Sequence, residues 1–124
     1  MKIALISSMA IITPPQNYGG LERVVYEHAK GLSELGHEVT LIASKDSKAP
    51  AGVKLVETVE SWAKLNPAQQ QALSKKDGIE REWNGMKWTA HTWNGWRAQE
   101  EEAYQQYKGW LKDFDVIGDN SWAK

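Results

Sequence analysis

The apolar positions at the start of the chain predict a strand, a helix and a second strand. Ile3 to Ile6 is a continuous apolar run, which is typical of a strand buried on both faces. Beyond a loop, apolar residues recur at helical spacing and predict one buried helix face; they are Leu21, Val24, Val25, Leu32 and Leu35, with His28 and Ala29 on the same side. Gly36 stands where a helix C-cap is expected, and EVTLIA at 38–43 follows as a strand.

The middle of the chain predicts shorter elements. Residues 53–56 are expected to form a third, more exposed strand. Asn66 and Pro67 suit the N-cap and first position of a short helix over 67–74. Asn84-Gly85, between REW and MKW, is typical of a tight hairpin, and Asn94-Gly95 is interpreted as the opening of the next helix.

The last part predicts a long helix and a fourth strand. The helix is expected over 96–112, with one apolar side formed by Trp96, Ala103, Tyr107, Trp110 and Leu111. FDVI at 114–117 is interpreted as a fourth buried strand.

Strands joined by helices indicate right-handed crossovers and a parallel α/β sheet. We predict the strand order 3-2-1-4, which is the first half of a doubly wound fold. Such folds bind ligands beyond the carboxyl ends of the strands, at the switch point between strands 1 and 4. That edge carries Ser7 to Gly20 and Gly118 to Trp122.

Composition excludes several classes of function. At 124 residues the chain has the size of one domain, and its net charge of −1 comes from 15 basic and 16 acidic residues that are well mixed. There is no basic stripe for nucleic acid or anionic membrane. The opening apolar run is too short for a membrane span, no cysteine is present, and the three histidines lack metal-ligand spacing. We expect a cytoplasmic protein without a metal.

The glycine pair before the first helix is the main candidate ligand site. Gly19 and Gly20 would let a ligand approach the backbone, and the free N–H groups of the helix start favour negative charge. Glu22 and Arg23 lie in the first turn and could meet a ligand. Alternatively, the glycines only lead into the helix, Glu22 suits the helix dipole and Arg23 is solvated.

Two further groups could bind a sugar. Asp119 and Asn120 lie at the predicted switch point and suit hydroxyl groups, although they could equally form an ordinary turn. All seven tryptophans lie from position 62 onwards, and Trp83, Trp88 and Trp93 could stack on sugar rings or pack the connector against the sheet. Of the histidines, His37 is interpreted as structural, His28 as half-buried, and His91 has no evident partner.

The pattern YGGLERVVYE, followed by LxxLGHEVTLIA, resembles the N-terminal domain of family 4 glycosyltransferases of the GT-B fold. FDVI fits the fourth strand of that Rossmann-like domain. The resemblance implies that residues 1–124 are a single, truncated half of a GT-B N-terminal domain with a small hairpin insertion. The donor-binding C-terminal domain of the family is absent from this sequence.

The resemblance implies an enzyme that transfers a sugar from a nucleotide sugar to a sugar-type acceptor, without metal or other cofactor. The N-terminal domain would bind the acceptor, and Gly19 and Gly20 would close over the donor phosphates. Alone, this chain is expected to be inactive, because the donor site with its paired glutamates belongs to the missing domain. It would act within a longer enzyme or with a separate donor-binding chain.

One departure from the family favours a second hypothesis. Gly118 and Asn120 stand where the family often has histidines, and asparagine can hydrogen-bond a hydroxyl group but cannot transfer a proton. We therefore assign no catalytic residue and keep the alternative of a stand-alone, non-catalytic sugar- or nucleotide-binding or assembly module. A dinucleotide-dependent oxidoreductase is disfavoured because the first loop has no GxGxxG.

The fourth strand also predicts self-association. In a half-domain FDVI would be an apolar sheet edge, and exposed edges pair with other strands. We expect homo-oligomers through this edge or through the surface of Trp110, Leu111 and Phe114.

Overall fold

The computed structural model describes residues 1–16, 19–76, 80–89 and 91–120. The strands are β1 (Lys2–Ile6), β2 (Glu38–Ala43), β3 (Lys54–Glu57), β4 (Glu80–Trp83), β5 (Met86–Thr89) and β6 (Val116–Asp119). The α-helices are α1 (Gly20–Glu34), α2 (Pro67–Lys76) and α3 (His91–Tyr107). Strands β3, β2, β1 and β6 form an all-parallel sheet in that order, which confirms the predicted order 3-2-1-4 and the Rossmann-like α/β class.

The central strand β1 is covered on both faces because its residues alternate between two apolar clusters. Ile3 and Leu5 pack into the cluster of α1 and the sheet, which contains Val25, Ala29, Val39, Leu41 and Ala43. Ala4 and Ile6 pack into the opposite cluster, with Met9, Ile42, Val59, Ala103 and Tyr107. Helices α1 and α3 therefore lie on opposite faces of the sheet, as crossover connections require.

Helix α1 buries a narrower face than the sequence predicts. Val25 and Ala29 are buried, but Val24 is 63% and Leu35 75% exposed, and His28 is exposed rather than half-buried. The reason is that the carboxylate of Glu22 lies in the interior. Successive helical residues are about 100° apart, so turning Glu22 inward turns Val24 outward.

The end of α1 confirms the predicted roles of Gly36 and His37. Gly36 has a φ of +92°, and its N–H group donates to the carbonyl of Ser33 at 3.0 Å. The N–H group of His37 donates to the carbonyl of Leu32 at 3.2 Å. This pair of hydrogen bonds is a Schellman motif, in which glycine provides the left-handed residue.

Local signals also fixed the hairpin and the start of α2. Strands β4 and β5 pair antiparallel around Asn84 and Gly85, whose φ angles of 51° and 76° are those of a type I′ turn. At α2, the Gln69 N–H group donates to Asn66 Oδ1 at 2.8 Å and the Asn66 N–H group donates to Gln69 Oε1 at 3.0 Å. The predicted N-cap is therefore part of a capping box.

The last two elements differ from the prediction. Helix α3 begins at His91, so Asn94 and Gly95 lie within it and do not open it, and a 3₁₀ helix over Lys108–Asp113 replaces its expected last turn. The interpretation of the fourth strand as buried is wrong, because Val116 is 44% and Ile117 42% exposed.

Trp110, expected on the buried side of the last helix, is 46% exposed. The exposure of β6 has a simple cause, since it pairs with β1 alone among the described strands.

Candidate functional site

The predicted switch point is assembled where β1 and β6 end. Ile6 and Asp119 are partners in the parallel register, so the loop after β1 and the residues after β6 leave the sheet side by side. The N–H group of Asn120 donates to the Ile6 carbonyl at 3.0 Å, which continues the ladder beyond β6. The carboxyl edge of the sheet thus joins the first loop to Asp119 and Asn120.

Buried hydroxyl groups fasten the first half of the loop after β1. The hydroxyl groups of Ser7 and Thr13 are hydrogen-bonded at 2.7 Å, and the Thr13 N–H group donates to Ser47 Oγ at 3.0 Å. The N–H group of Lys48 donates to the Thr13 carbonyl at 2.7 Å. Ser7, Thr13 and Ser47 are all at least 96% buried. This part of the loop is therefore fastened to the segment that follows β2.

Glu22 is an internal anchor of the site. It is only 6% exposed, and Oε1 of its carboxylate accepts a hydrogen bond from the hydroxyl group of Ser8. The carboxylate also lies in the first turn of α1, where the helix dipole favours negative charge. The carboxylate of Glu22 therefore links the loop after β1 to α1, and it exposes little surface to a ligand.

Arg23 contacts the second half of the same loop. Its Nη2 donates to the Pro15 carbonyl at 3.2 Å, and its N–H group donates to the Gly19 carbonyl at 3.1 Å. A guanidinium group has five N–H donors, so the hydrogen bond to Pro15 leaves further N–H donors that an anion could use.

The two glycines differ in their surroundings. A Cβ atom on Gly19 would lie 2.5 Å from Ile11 Cδ1 and 2.6 Å from Pro15 Cβ, so packing requires glycine there. A Cβ atom on Gly20 would meet nothing within 4 Å. No side chain caps the start of α1. Gly20 is therefore the point at which a ligand could approach the helix start closely.

The sequence reasoning missed Glu100, a buried carboxyl group at this edge. Glu100 lies on α3, is 1% exposed, and accepts a hydrogen bond from the Met9 N–H group at 2.6 Å. The pKa of Glu100 is raised to about 8: burial is the largest cause, the Met9 hydrogen bond lowers the pKa, and the charges of Asp119 and Glu22 also raise it.

A signal for this residue was present in the sequence. Glu100, Ala103 and Tyr107 are separated by three and four residues and share one helix face, of which the last two were expected to be buried. Within the run QEEE, however, Glu100 looks like one of several solvated charges.

The charges of Glu22 of α1 and Asp119 of β6 therefore both act on the carboxyl group of Glu100 of α3. Carboxylates accept hydrogen bonds from hydroxyl groups and repel phosphates. The centre of the edge suits hydroxyl groups, whereas an anion would fit better at the start of α1. Within the described residues, no group of histidine, cysteine and acidic side chains is arranged to hold a metal ion.

The end of β6 and the residue that follows it, Asn120, are polar and closely packed. Asp119 is exposed, and Nδ2 of Asn120 donates to the Gly118 carbonyl at 3.4 Å. A Cβ atom on Gly118 would lie 2.6 Å from Leu5 Cδ2, so any larger residue there would press on the core. The chain therefore presents an acid and an amide at this point.

For the three candidate tryptophans, the described part of the structure gives the backbone positions only. The backbone places Trp83 at the end of β4, Trp88 opposite Arg81 in the hairpin, and Trp93 in the first turn of α3. Their side chains, and that of His91, lie outside the described part of the chain.

A model of the family described as Glycosyltransferase Family 4 matches residues 18–84, which is more than half of the chain. The match begins just before the glycine pair and runs through α1, β2, β3 and α2 to the turn of the hairpin. No curated protein matches the chain. Among the described residues, no helix is both long and apolar enough to cross a bilayer. On the family match and the parallel sheet in the order β3-β2-β1-β6, this chain belongs to glycosyltransferase family 4.

Proposed function

We propose that this chain is the acceptor-binding part of a glycosyltransferase that uses a nucleotide sugar. Family membership supports the reaction class. The observation that carries the proposal is the register of Ile6 with Asp119, which sets the polar end of β6 beside the loop that leads to Gly20. A phosphate-binding helix start and a hydroxyl-binding edge are thereby combined at the switch point of the sheet.

The two parts of the edge would bind different parts of the reactants. Open N–H groups at Gly20 suit the donor diphosphate, because they carry partial positive charge. Asp119 and Asn120 suit the hydroxyl groups of an acceptor sugar, because an acid accepts and an amide both donates and accepts. In the reaction, the acceptor oxygen would bond to the anomeric carbon while the bond from that carbon to the diphosphate breaks, and the proton of the acceptor hydroxyl group would pass to the leaving diphosphate. We infer no cofactor for this transfer.

The chain by itself would bind without catalysing transfer. Positions 118 and 120 carry glycine and asparagine, so neither side chain can accept the acceptor proton. Family resemblance assigns most donor contacts to a second domain, which would be provided by a longer enzyme or by a partner chain. We therefore expect weak nucleotide binding and no turnover from residues 1–124.

Binding can be tested by titrating the protein with UDP-glucose and GDP-mannose and following backbone amide shifts by NMR. We expect shifts at Gly20 and Leu21 with the nucleotide sugars, and at Asp119 and Asn120 with oligosaccharides. Gly20→Ala should weaken nucleotide binding. Gly31→Ala is the matched control, because Gly31 is another glycine of α1 whose added Cβ would meet nothing within 4 Å. Shifts confined to other parts of the protein would contradict the proposal.

A non-catalytic binding module is the second candidate function. It is favoured by the same observation at Gly118 and Asn120, where the Asn120 amide bonds to the backbone and neither residue has a side chain that accepts a proton. Binding of an oligosaccharide at Asp119 with no response to any nucleotide sugar would support the module. Nucleotide binding at Gly20 would support the transferase.

A further inference from the structure

A cavity of about 370 Å³ opens at the amino ends of the strands, on the face of the sheet that α3 covers. This edge is opposite to the one that carries Asp119 and Asn120. The floor of the cavity follows the parallel register in three rows, which are Lys2 beside Glu38, Thr40 beside Lys54, and Ile42 beside Val56. Its volume lies within the range of about 300–1,000 Å³ that is typical of small-molecule sites.

The remaining wall of the cavity is formed by Trp110 and Asp113 of the 3₁₀ helix and by Phe114. Hydrogen bonds fasten this segment to β1, since the Lys2 N–H group donates to Asp115 Oδ2 and the Asp115 N–H group donates to the Lys2 carbonyl, both at 2.8 Å. Phe114 also packs against the apolar cluster on the α3 side of the sheet. The cavity is therefore pre-formed, which lowers the entropic cost of binding.

Four charged side chains of balanced sign line the cavity: Lys2, Lys54, Glu38 and Asp113. All four are exposed, and within the described part of the chain none of them forms an ion pair with another. Two ammonium groups and two carboxylates give no net charge, so the cavity as a whole favours neither an anion nor a cation. Ammonium groups donate hydrogen bonds and carboxylates accept them, whereas a hydroxyl group does both. These side chains therefore suit a neutral ligand that is rich in hydroxyl groups.

The apolar surfaces of the cavity suit one face of a sugar ring. Trp110 is 46% exposed, and Ile42 and Val56 form the apolar part of the floor. A sugar ring has hydroxyl groups around its edge and C–H groups on its faces, and such a face can stack on an indole ring. A wholly apolar ligand would instead take water from the four charged groups without replacing its hydrogen bonds, which is costly.

We propose that this cavity is a second carbohydrate site, which binds a neutral sugar ring by stacking on Trp110 and by hydrogen bonds to Glu38 and Lys54. Binding here does not rest on the proposed function, because the cavity and the candidate site lie at opposite edges of the sheet. One consequence does rest on it: a long glycan held in the cavity would stay attached to the domain while transfer takes place at the other edge.

The site is tested by titrating the protein with three neutral trisaccharides, maltotriose, cellotriose and mannotriose, and by following the amides of Thr40, Lys54 and Val56 by NMR. We expect saturable shifts of these amides with at least one trisaccharide and none with inorganic phosphate. Trp110→Ala should weaken binding roughly three- to tenfold, and Trp110→Phe should lose less because it keeps an aromatic ring. Equal binding by wild type and Trp110→Ala would overturn the proposal, as would the absence of shifts with all three sugars.

The charge of the ligand is tested by removing one charge of each sign. Glu38→Gln and Lys54→Met should each weaken binding roughly two- to tenfold, because a neutral ligand uses both groups through hydrogen bonds. Glu34→Gln and Lys30→Met are the matched controls, since they remove the same charges from exposed positions of α1, and they should bind as the wild type does. Tighter binding in either cavity variant would indicate a charged ligand and overturn the proposal.

The same titration separates this site from the proposed function. Shifts confined to Asp119 and Asn120 would overturn the second site and support the proposed function. Shifts at the cavity with none at Asp119 and Asn120 would support the second site and contradict the proposed acceptor site. Shifts of the cavity amides that follow protein concentration without sugar would identify a second copy of the chain as the occupant and overturn the proposal.

Discussion

The hydroxyl group of Ser8 donates a hydrogen bond to Oε1 of Glu22, and this contact ties the loop after β1 to the first turn of α1. Both residues are buried, with 1% and 6% exposure. The glycine pair therefore does not enter the helix as a free segment. Its position is set by this internal hydrogen bond of Glu22, a residue for which the sequence suggested either a ligand contact or a favourable interaction with the helix dipole.

Removing the Ser8 hydroxyl group should destabilise the domain. In Ser8→Ala the buried carboxylate of Glu22 loses its donor, and we expect a loss of about 1–3 kcal/mol in the free energy of unfolding. Urea denaturation at pH 7 measures this quantity. Glu27→Gln, at an exposed position of α1, is the control and should remain within about 0.5 kcal/mol of the wild type. Equal stability of Ser8→Ala and the wild type would refute the internal role of this pair.

The two glycines should respond differently to alanine. Gly19→Ala would place a methyl group against Ile11 and Pro15, and we expect a loss of about 1–3 kcal/mol from the forced displacement. Gly20→Ala meets no atom and should leave the stability unchanged or slightly higher. Thermal unfolding of the two variants provides the comparison. A larger effect at Gly20 would show that the loop is packed differently.

Stability should fall as pH rises through the neutral range because of Glu100. Its pKa is raised from 4.5 in the unfolded chain to about 8 in the folded protein, so between these values the folded state binds more protons. The free energy of unfolding then decreases with pH by at most about 1.4 kcal/mol per unit, and the effect levels off above pH 8. Glu100→Gln should remove this slope and be more stable than the wild type at pH 8. Denaturation series at pH 5, 6.5 and 8 give the slopes, and parallel curves for the two proteins would contradict the assignment.

The exposed strand β6 should promote self-association of this chain. Val116 and Ile117 are 44% and 42% exposed on a strand whose outer side pairs with no described strand. A lysine on an edge strand disfavours pairing, so Ile117→Lys should shift sedimentation velocity profiles towards the monomer at high concentration. Leu35→Lys is the control, because Leu35 is an exposed leucine at the end of α1. A wild-type protein that sediments as a monomer at every concentration would contradict self-association through β6.

Signals carried by a few neighbouring residues predicted this fold well. Gly36 adopts the left-handed conformation that ends α1, Asn84-Gly85 forms the expected hairpin turn, and Asn66 caps α2. The apolar runs at 3–6 and 38–43 became adjacent parallel strands. These outcomes depend on backbone preferences and on hydrogen bonds within a few residues. Such local interactions can be predicted from neighbouring residues in the sequence.

Burial at the site depended on groups distant in the sequence. Glu22 lies inside and Val24 outside because Ser8 provides a buried partner for the carboxylate, and no local pattern contains that partner. In the same way Glu100 was hidden among solvated acids, although Met9 lies 91 residues away and fixes it in the interior.

The sequence by itself thus determined most of the elements, their order in the sheet and the family, because hydrophobic periodicity and turn chemistry are local and the glycine-helix-strand pattern is specific. Only the tertiary structure decided which charged residues are buried in the interior. The cost of burying a carboxyl group depends on the donors and charges that the fold brings to it, and for Glu22 and Glu100 these come from other elements of the chain.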